Sequence, residues 1–473
     1  MEDLFDVIVI GAGPAGEVCA GRLGEQGLTV AVVEDRLIGG ECSFFGCMPS
    51  KALLRPAEAL AEVRRIPGAA EAVTGDLDVD AVLRRRNEVV HDLDDSTQVP
   101  WLEARNVTIV RGRGRIAGEL EVDVDGRTLR ALRAVVLATG STAAIPPIPG
   151  LAEADPWTNE QGTTSNEIPK RLIVLGGGVV GVELGQAWAT LGSQVTIVEA
   201  LPRLLAREED FASELVHKGL VERGIDVRVG VPATAVERAQ NGEVTLTLAS
   251  GETIVGDELL VGVGRRPATG DLGLQTIGLT PGKPVEVDDA ARVPGKPWLY
   301  AIGDVNGRAL LTHMGKYQGR IAADQILGRD IRIDPLADGA LSPRVVFTDP
   351  QVAAVGHTLE SARAAGMDAG AVGHETSGVA GGSFYGRLAP GQSRLVFDRD
   401  REVLVGATFT GADVAEFLHG ATIAIVGEVP LERLWHAVPS FPTRSEVWLR
   451  MLELYDVPAT AAARRASLRR VAV

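Results

Sequence analysis

The sequence predicts an α/β protein with two doubly wound, Rossmann-like units and a C-terminal α+β unit. Three observations predict it. A strand–glycine turn–helix–strand pattern opens the chain, the same pattern returns near residue 175, and the texture changes after residue 335. At 473 residues the chain is too long for one core, so two to four domains of roughly 100–200 residues each are expected. A composition of 45% hydrophobic and 23% charged residues describes a soluble globular protein.

The first pattern is "DVIVIGAGPAGEVCAGRLGEQGLTVAVVE". Residues 6–10 read as a strand buried on both faces, apolar without a break from Val7 to Ile10. Gly11, Gly13 and Gly16 give G-x-G-x-x-G, and Glu34 ends the second strand. The first glycine makes the turn, the second lets a pyrophosphate approach the backbone, and the third lets helix and strand pack closely. The helix N-terminus then faces the pyrophosphate, and Glu34 accepts from a ribose hydroxyl. Cys19, on the helix between Val18 and Ala20, reads as a buried structural thiol.

The second pattern is "RLIVLGGGVVGVELGQAWATLGSQVTIVE", with Gly176, Gly178, Gly181 and a closing Glu199. Two complete units imply two dinucleotides. An acidic residue at 199 pairs with a free 2′-hydroxyl and repels a 2′-phosphate, which favours NADH, while nearby Arg203 leaves NADPH open. After residue 335, "PRVVFTDPQVAAVG", "SRLVFDRDREVLVGATFTG" and "DVAEFLHGATIAIVG" suggest an antiparallel sheet with helices, "FDRDREVLVG" being a hairpin. The expected boundaries are 1–150 with 270–335 for the first domain, 151–269 for the second, and 340–473 for the third. The run Arg84-Arg85-Arg86 reads as a solvated helix face, and His313 as a scaffold histidine.

Charge and apolar pattern exclude several classes. A net charge of −16 argues against nucleic acid or an anionic membrane, since both need a basic face. No run approaches the roughly 20 apolar residues that span a bilayer. The opening "MEDLFDVIVIGAG" has neither a basic segment nor a cleavage motif, so no signal peptide is expected and the location is expected to be cytoplasmic. Two of the three cysteines lie in "GGECSFFGCMPSK", residues 39–51, with Pro49 and Lys51 behind them. Such a pair in a cytosolic protein points to redox or metal chemistry, and no nearby Cys or His completes a zinc site.

Taken together, these motifs resemble the disulfide-reductase branch of the class I pyridine nucleotide-disulfide oxidoreductases, over nearly the whole chain. The resemblance rests on both G-x-G-x-x-G turns, the C-x4-C-x-P-S-K block, "VVLATGS" at 135–141 and "YAIGDV" at 300–305. It also rests on "PRVVFTDPQVAAVG", which is similar to the start of the family's dimerisation domain. The resemblance implies FAD in the first unit and NADH or NADPH in the second. Thr139, Gly140, Gly303 and Asp304 would belong to the flavin site, with Asp304 on the ribityl chain. "THMGKYQGRIAA" at 312–323 would be the helix beneath the flavin ring. Hydride would pass from NADH to the flavin and on to a Cys42–Cys47 disulfide. Cys47 would be the thiolate beside the flavin, and Cys42 the sulfur that attacks the substrate. Lys51 resembles the lysine beside flavin N5, with Glu183 as its expected ion-pair partner. A homodimer and a small-molecule disulfide substrate are implied.

The resemblance breaks at one place. The family ends with H-P-T-x-S-E, supplied across the dimer, whose histidine serves as acid-base partner of the attacking cysteine and is oriented by the glutamate. Here the segment reads "HAVPSFPTRSEVW". Pro442, Thr443, Ser445 and Glu446 keep register, but Phe441 replaces the histidine, Pro439 stands where a second histidine is frequent, and His436 lies five residues early. A lost general acid typically costs 10²–10⁴-fold. The expectation is therefore a substrate whose leaving sulfur departs easily, such as ergothioneine disulfide, which releases a thione. The basic residues are mostly arginine, as in GC-rich actinobacterial proteins, whose small thiols include ergothioneine and mycothiol. The alternatives are a dihydrolipoyl dehydrogenase-like enzyme using a different base, a quinone or metal reductase, and a non-catalytic redox-sensing flavoprotein. The tail "ATAAARRASLRRVAV" has no cysteine pair, which counts against Hg(II). Phe44 and Phe45, between the two cysteines, are expected either to line the pocket or to serve ordinary packing.

Overall fold

The computed structural model describes residues 3–386, 389–457, 459 and 460. The cysteine-free stretch 461–473 lies outside the described residues. Two compact units emerge. One gathers the chain up to Leu53 with Val79–Glu167 and Leu259–Gly339, and the other gathers Leu54–Asp78, Ile168–Glu258 and the chain from Ala340 onward.

The first unit is built on a seven-stranded sheet. Strands Val107–Arg111, Val30–Glu34, Leu4–Ile10, Arg127–Leu137 and Leu299–Ala301 pair in parallel. Glu121–Val124 and Gly114–Gly118 add an antiparallel edge to Arg127–Leu137. Side chains alternate between the faces of a strand. Val7 and Val9 therefore join one buried cluster, with Leu23, Val32, Val136, Ile302 and Ile321, while Ile8 and Ile10 join another with Val33, Val135, Leu137 and Leu299. A strand covered on both faces must be apolar at every position, which explains the unbroken run read from the sequence.

Helices Pro14–Glu25 and Thr312–Ile326 lie against each other on the first of these faces. Small residues make the approach possible: a Cβ on Gly319 would sit 2.6 Å from the Ala15 carbonyl oxygen. Close packing here decides where the N-terminus of the second helix falls, and therefore where Thr312 stands.

In the second unit, strands Arg171–Leu175, Gln194–Glu199 and Asp226–Val229 pair in parallel. A three-stranded antiparallel sheet follows at 233–256. The C-terminal part is a five-stranded antiparallel sheet, ordered 344–346, 351–356, 403–411, 392–398, 369–375, with helices. The hairpin read at "FDRDREVLVG" joins its fourth and third strands.

One expectation is corrected. On helix Val79–Val89, Arg84 and Arg85 are exposed, but Arg86 is fully buried. Its guanidinium donates to the Thr163 and Ser165 carbonyls, to Asn166 Oδ1 at 2.8 Å and to Asn87 Oδ1 at 2.7 Å. Burial pulls its pKa down to about 10. Every acceptor named is a carbonyl oxygen, so the residue acts as a clamp on segment 163–166. Arg86→Leu is expected to leave these oxygens buried and unpaired and to cost about 3 kcal/mol. A lower denaturant midpoint with unchanged flavin content in the folded fraction would register the loss.

Candidate functional site

The two glycine turns have the same internal geometry. Gly11 and Gly176 take φ of 103° and 113°, a region closed to ordinary side chains. A Cβ on Gly16 would sit 2.0 Å from the Gly11 oxygen, and one on Gly181 1.9 Å from the Gly176 oxygen. In both units the third glycine is thus where helix and turn touch. A Cβ on Gly13, in contrast, would meet only the Cα of Gly40, at 4.0 Å. Open space at the second glycine is what a phosphate needs. Helices Pro14–Glu25 and Val179–Thr190 start at Gly13 and Gly178 without a side-chain cap, so their first N–H groups face outward for an anion.

The acidic strand ends match as well. Glu34 accepts from Ala12 N at 2.7 Å and Arg36 N at 2.8 Å, and Glu199 accepts from Gly177 N at 2.6 Å and Leu201 N at 2.7 Å. Each carboxylate closes its own glycine turn and keeps lone pairs for a ribose. Burial raises the pKa of Glu34. Arg203 donates to the Glu208 and Ala206 carbonyls, both at 3.0 Å, and pairs with Asp210 at 2.6 Å. Its charge is already engaged by its own loop.

The cysteines come together at the next turn. Gly39 and Gly40 both have positive φ, 106° and 58°, and a Cβ on Gly40 would press to 2.8 Å of the Gly13 Cα. The glycine pair therefore folds the chain onto the first phosphate turn and starts the short helix Gly40–Phe44, which carries Cys42. Cys47 opens the helix Cys47–Arg65. Both residues are half-buried thiols in this structure, and Cys47 Sγ lies 3.3 Å from Thr312 Oγ1. Interaction with Cys47, followed by burial and the charge of Cys47, holds the Cys42 thiol far above the usual range. Thr312 and Lys316 pull in the opposite direction. Cys19 is fully buried, with its thiol pushed up to about 12 by desolvation, as a structural cysteine would be.

A polar network ties Glu41, on the short helix that carries Cys42, to the 303–306 turn. Glu41 pairs with Arg265, which also donates to Ser141 Oγ at 2.6 Å, the Ser141 carbonyl at 2.7 Å and Asn159 Oδ1 at 3.2 Å. Ser141 Oγ in turn donates to Asp304 at 2.5 Å. Burial raises the pKa of both Glu41 and Asp304. Thr139 donates to the Ala268 carbonyl at 3.0 Å, while Gly140 and Gly303 take φ of 71° and 75°. Lys51, one turn after Cys47, donates to Ser50 Oγ at 3.3 Å.

In the second unit, Glu183 is buried on helix Val179–Thr190 and accepts from Phe347 N at 2.8 Å. Glu446 is buried at the start of helix Glu446–Leu454 and accepts from Gly381 N at 3.2 Å. Phe441 is 76% exposed and His436 is exposed. Arg444, within the same loop, is buried between Tyr385 and Phe417, 3.9 and 4.7 Å from their ring centres. The pocket role considered for Phe44 and Phe45 gives way to packing: both are buried in one cluster with Val90 and Leu37. Sequence reasoning named neither Thr312 nor the Glu41–Arg265 pair, because both contacts join segments more than two hundred residues apart.

Comparison with known proteins agrees with this geometry. The sequence pattern described as pyridine nucleotide-disulphide oxidoreductase matches residues 5–319, and its dimerisation domain matches residues 342–452. Dihydrolipoyl dehydrogenase from Thermus scotoductus is 35% identical over 449 residues, covering 93% of this chain and 95% of the relative. Mercuric reductase from Lysinibacillus sphaericus is 30% identical over 452 residues, covering 94% of this chain and 81% of the relative. Among solved structures, LpdA from Mycobacterium tuberculosis gives a TM-score of 0.83 at 25% identity, covering 95% of this chain and 99% of that one. The HOCl-induced flavoprotein disulfide reductase RclA from Escherichia coli gives 0.82 at 25% identity with the same coverage.

Proposed function

Because the chain belongs to the pyridine nucleotide-disulphide oxidoreductase family, whose members are FAD- and NAD(P)H-dependent enzymes, we propose that it reduces a small disulfide through Cys42 and Cys47. The observation that carries this reading is the placement of both cysteines on consecutive helices behind the glycine pair that packs on the first phosphate turn, with Cys47 Sγ 3.3 Å from Thr312 Oγ1. Bound FAD supplies the two-electron carrier between nicotinamide and sulfur. Gly11, Gly13, Gly16 and Glu34 would hold its pyrophosphate and ribose, with Thr139, Gly140, Gly303 and Asp304 around the remainder. Gly176, Gly178, Gly181 and Glu199 would hold the nicotinamide dinucleotide. Lys51 and Glu183 would form an ion pair that steadies charge at the flavin.

Within the cysteine pair, Cys42 attacks the substrate and Cys47 resolves the mixed disulfide. Phe441 cannot protonate a leaving thiol, so the favoured substrate releases a stabilised sulfur, as ergothioneine disulfide would by leaving as a thione. The dimerisation-domain match supports a homodimer in which Glu446 completes a neighbour's site. Among the described residues no helix is long and apolar enough to cross a membrane, and we place the enzyme in the cytoplasm as a proposal.

A turnover screen of small disulfides with both nucleotides tests the reading. Glu199 and the engaged Arg203 favour NADH, so kcat/KM for NADH should exceed that for NADPH by about 10²-fold or more. Ergothioneine disulfide should outpace lipoamide and glutathione-type disulfides. Turnover confined to quinones or metal ions would reject the proposal.

A further inference from the structure

On the basis of the dithiol reading, we propose that Thr312 positions the two cysteines so that each serves as the other's acid and base. This relay stands in for the histidine missing at position 441, slowly for an ordinary thiol and readily for one that leaves as a thione. One contact and two couplings define the arrangement. Cys47 Sγ lies 3.3 Å from Thr312 Oγ1, and the Cys42 thiol is held up first by Cys47 while Thr312 pulls it the other way. A threonine hydroxyl carries one proton, so it donates to one sulfur at a time and turns to whichever is charged.

Charged and titratable groups of three helices bear on Cys42. On its own short helix, Glu41 is paired with Arg265. On the helix that starts at Cys47 there are Cys47 itself and Lys51, whose ammonium donates to Ser50 Oγ. On helix Thr312–Ile326, Lys316 follows Thr312 by one turn and favours a thiolate at Cys42. The hydroxyl stands in the first turn of this helix, where N–H dipoles also favour negative charge.

The chemistry balances within the pair. In the reduced protein Cys42 holds one proton against a Cys47 thiolate. That proton passes to Cys47 Sγ, and the Thr312 hydroxyl turns from Cys47 to the new Cys42 thiolate. Cys42 attacks a substrate sulfur: a Cys42–sulfur bond forms, the substrate S–S bond breaks, and the leaving thiolate takes the proton from Cys47. Cys47, again a thiolate, attacks the mixed disulfide at Cys42. The intramolecular disulfide forms, and the second thiolate leaves and takes a proton from water. Two electrons pass from the dithiol to the substrate, giving two thiols. The NADH-derived hydride later restores the dithiol.

The test follows alkylation of the FAD-loaded protein after reduction with dithiothreitol, so it does not depend on NADH or on any substrate. Iodoacetamide labelling of Cys42 and Cys47 is followed across a pH series by peptide mass spectrometry. In Thr312→Val, Cys42 labelling at about pH 8 should fall roughly tenfold and its profile should move to higher pH, because a charge-assisted donor is lost. Thr312→Ser should return to within about twofold of the wild type, because it restores the hydroxyl. Lys316→Met, on an exposed position that leaves the packing intact, should move the profile the same way by about twofold to threefold. Profiles unchanged in Thr312→Val and Lys316→Met, or a serine variant that behaves like the valine one, would overturn the proposal. Failure of the dithiol reading has a different outcome: NADH would produce no new thiols in the wild type.

Discussion

A Cys42→Ser protein is expected to reduce small disulfides about 10³-fold or more slowly than the wild type, because the attacking thiolate is gone. It should still be reduced by NADH at a normal rate. The separation follows from the structure. Cys42 sits on the short helix Gly40–Phe44, and Cys47 opens a helix of its own. Serine keeps the size and carries a hydroxyl, so the Glu41–Arg265–Ser141–Asp304 network should stay intact. Cys47→Ser should instead abolish the long-wavelength absorption of a thiolate lying beside the flavin, as well as disulfide turnover. Quinone reduction that survives Cys42→Ser would identify a route that bypasses the sulfurs. Stopped-flow spectra and steady-state rates on the two variants check both halves.

The second large effect is a gain. Phe441→His should raise turnover of dihydrolipoamide by about 10²-fold, within the range assigned to a general acid or base. The position is 76% exposed, so an imidazole meets no packing penalty there. Glu446 lies buried five residues on, the spacing at which the family glutamate orients its histidine. The gain should be small for a disulfide that leaves as a thione, since such a group needs no proton. An equal gain on both substrates would show that position 441 acts through something other than proton supply. Because the expected increase depends on a neighbouring subunit, the assay belongs at concentrations where the dimer is confirmed.

The parts of the site that sequence made legible are local ones. Each G-x-G-x-x-G is a set of backbone demands within one turn, and each demand appears at the glycine that carries it: positive φ at Gly11 and Gly176, contact at Gly16 and Gly181, open space at Gly13. Glu34 and Glu199 follow at the strand ends and make the same pair of hydrogen bonds. The antiparallel C-terminal sheet was equally readable, from short strand-like runs such as "PRVVFTDPQVAAVG" and "SRLVFDRDREVLVGATFTG".

Contacts across long separations were not readable. Nothing near residue 42 announces that Thr312 will meet its neighbour, or that Arg265 will pair with Glu41. The first of these meetings depends on how closely helix Thr312–Ile326 packs on helix Pro14–Glu25, which Gly319 permits. Arg86 is a different case, because a local signal was present. Val82, Leu83 and Arg86 share one face of a helix, so a run of three arginines places its last member inward. Phe44 and Phe45 show the same lesson at smaller scale, since Leu37 and Val90 already supply them with an apolar partner set.

The most direct measurement is a thiol count on the FAD-loaded, oxidised protein before and after one equivalent of NADH under anaerobic conditions, with labelled positions mapped by mass spectrometry. Two new thiols, at Cys42 and Cys47 and with Cys19 unchanged, are the predicted result. A flavin that bleaches while both positions stay as they were would mean that electrons do not pass through this sulfur pair.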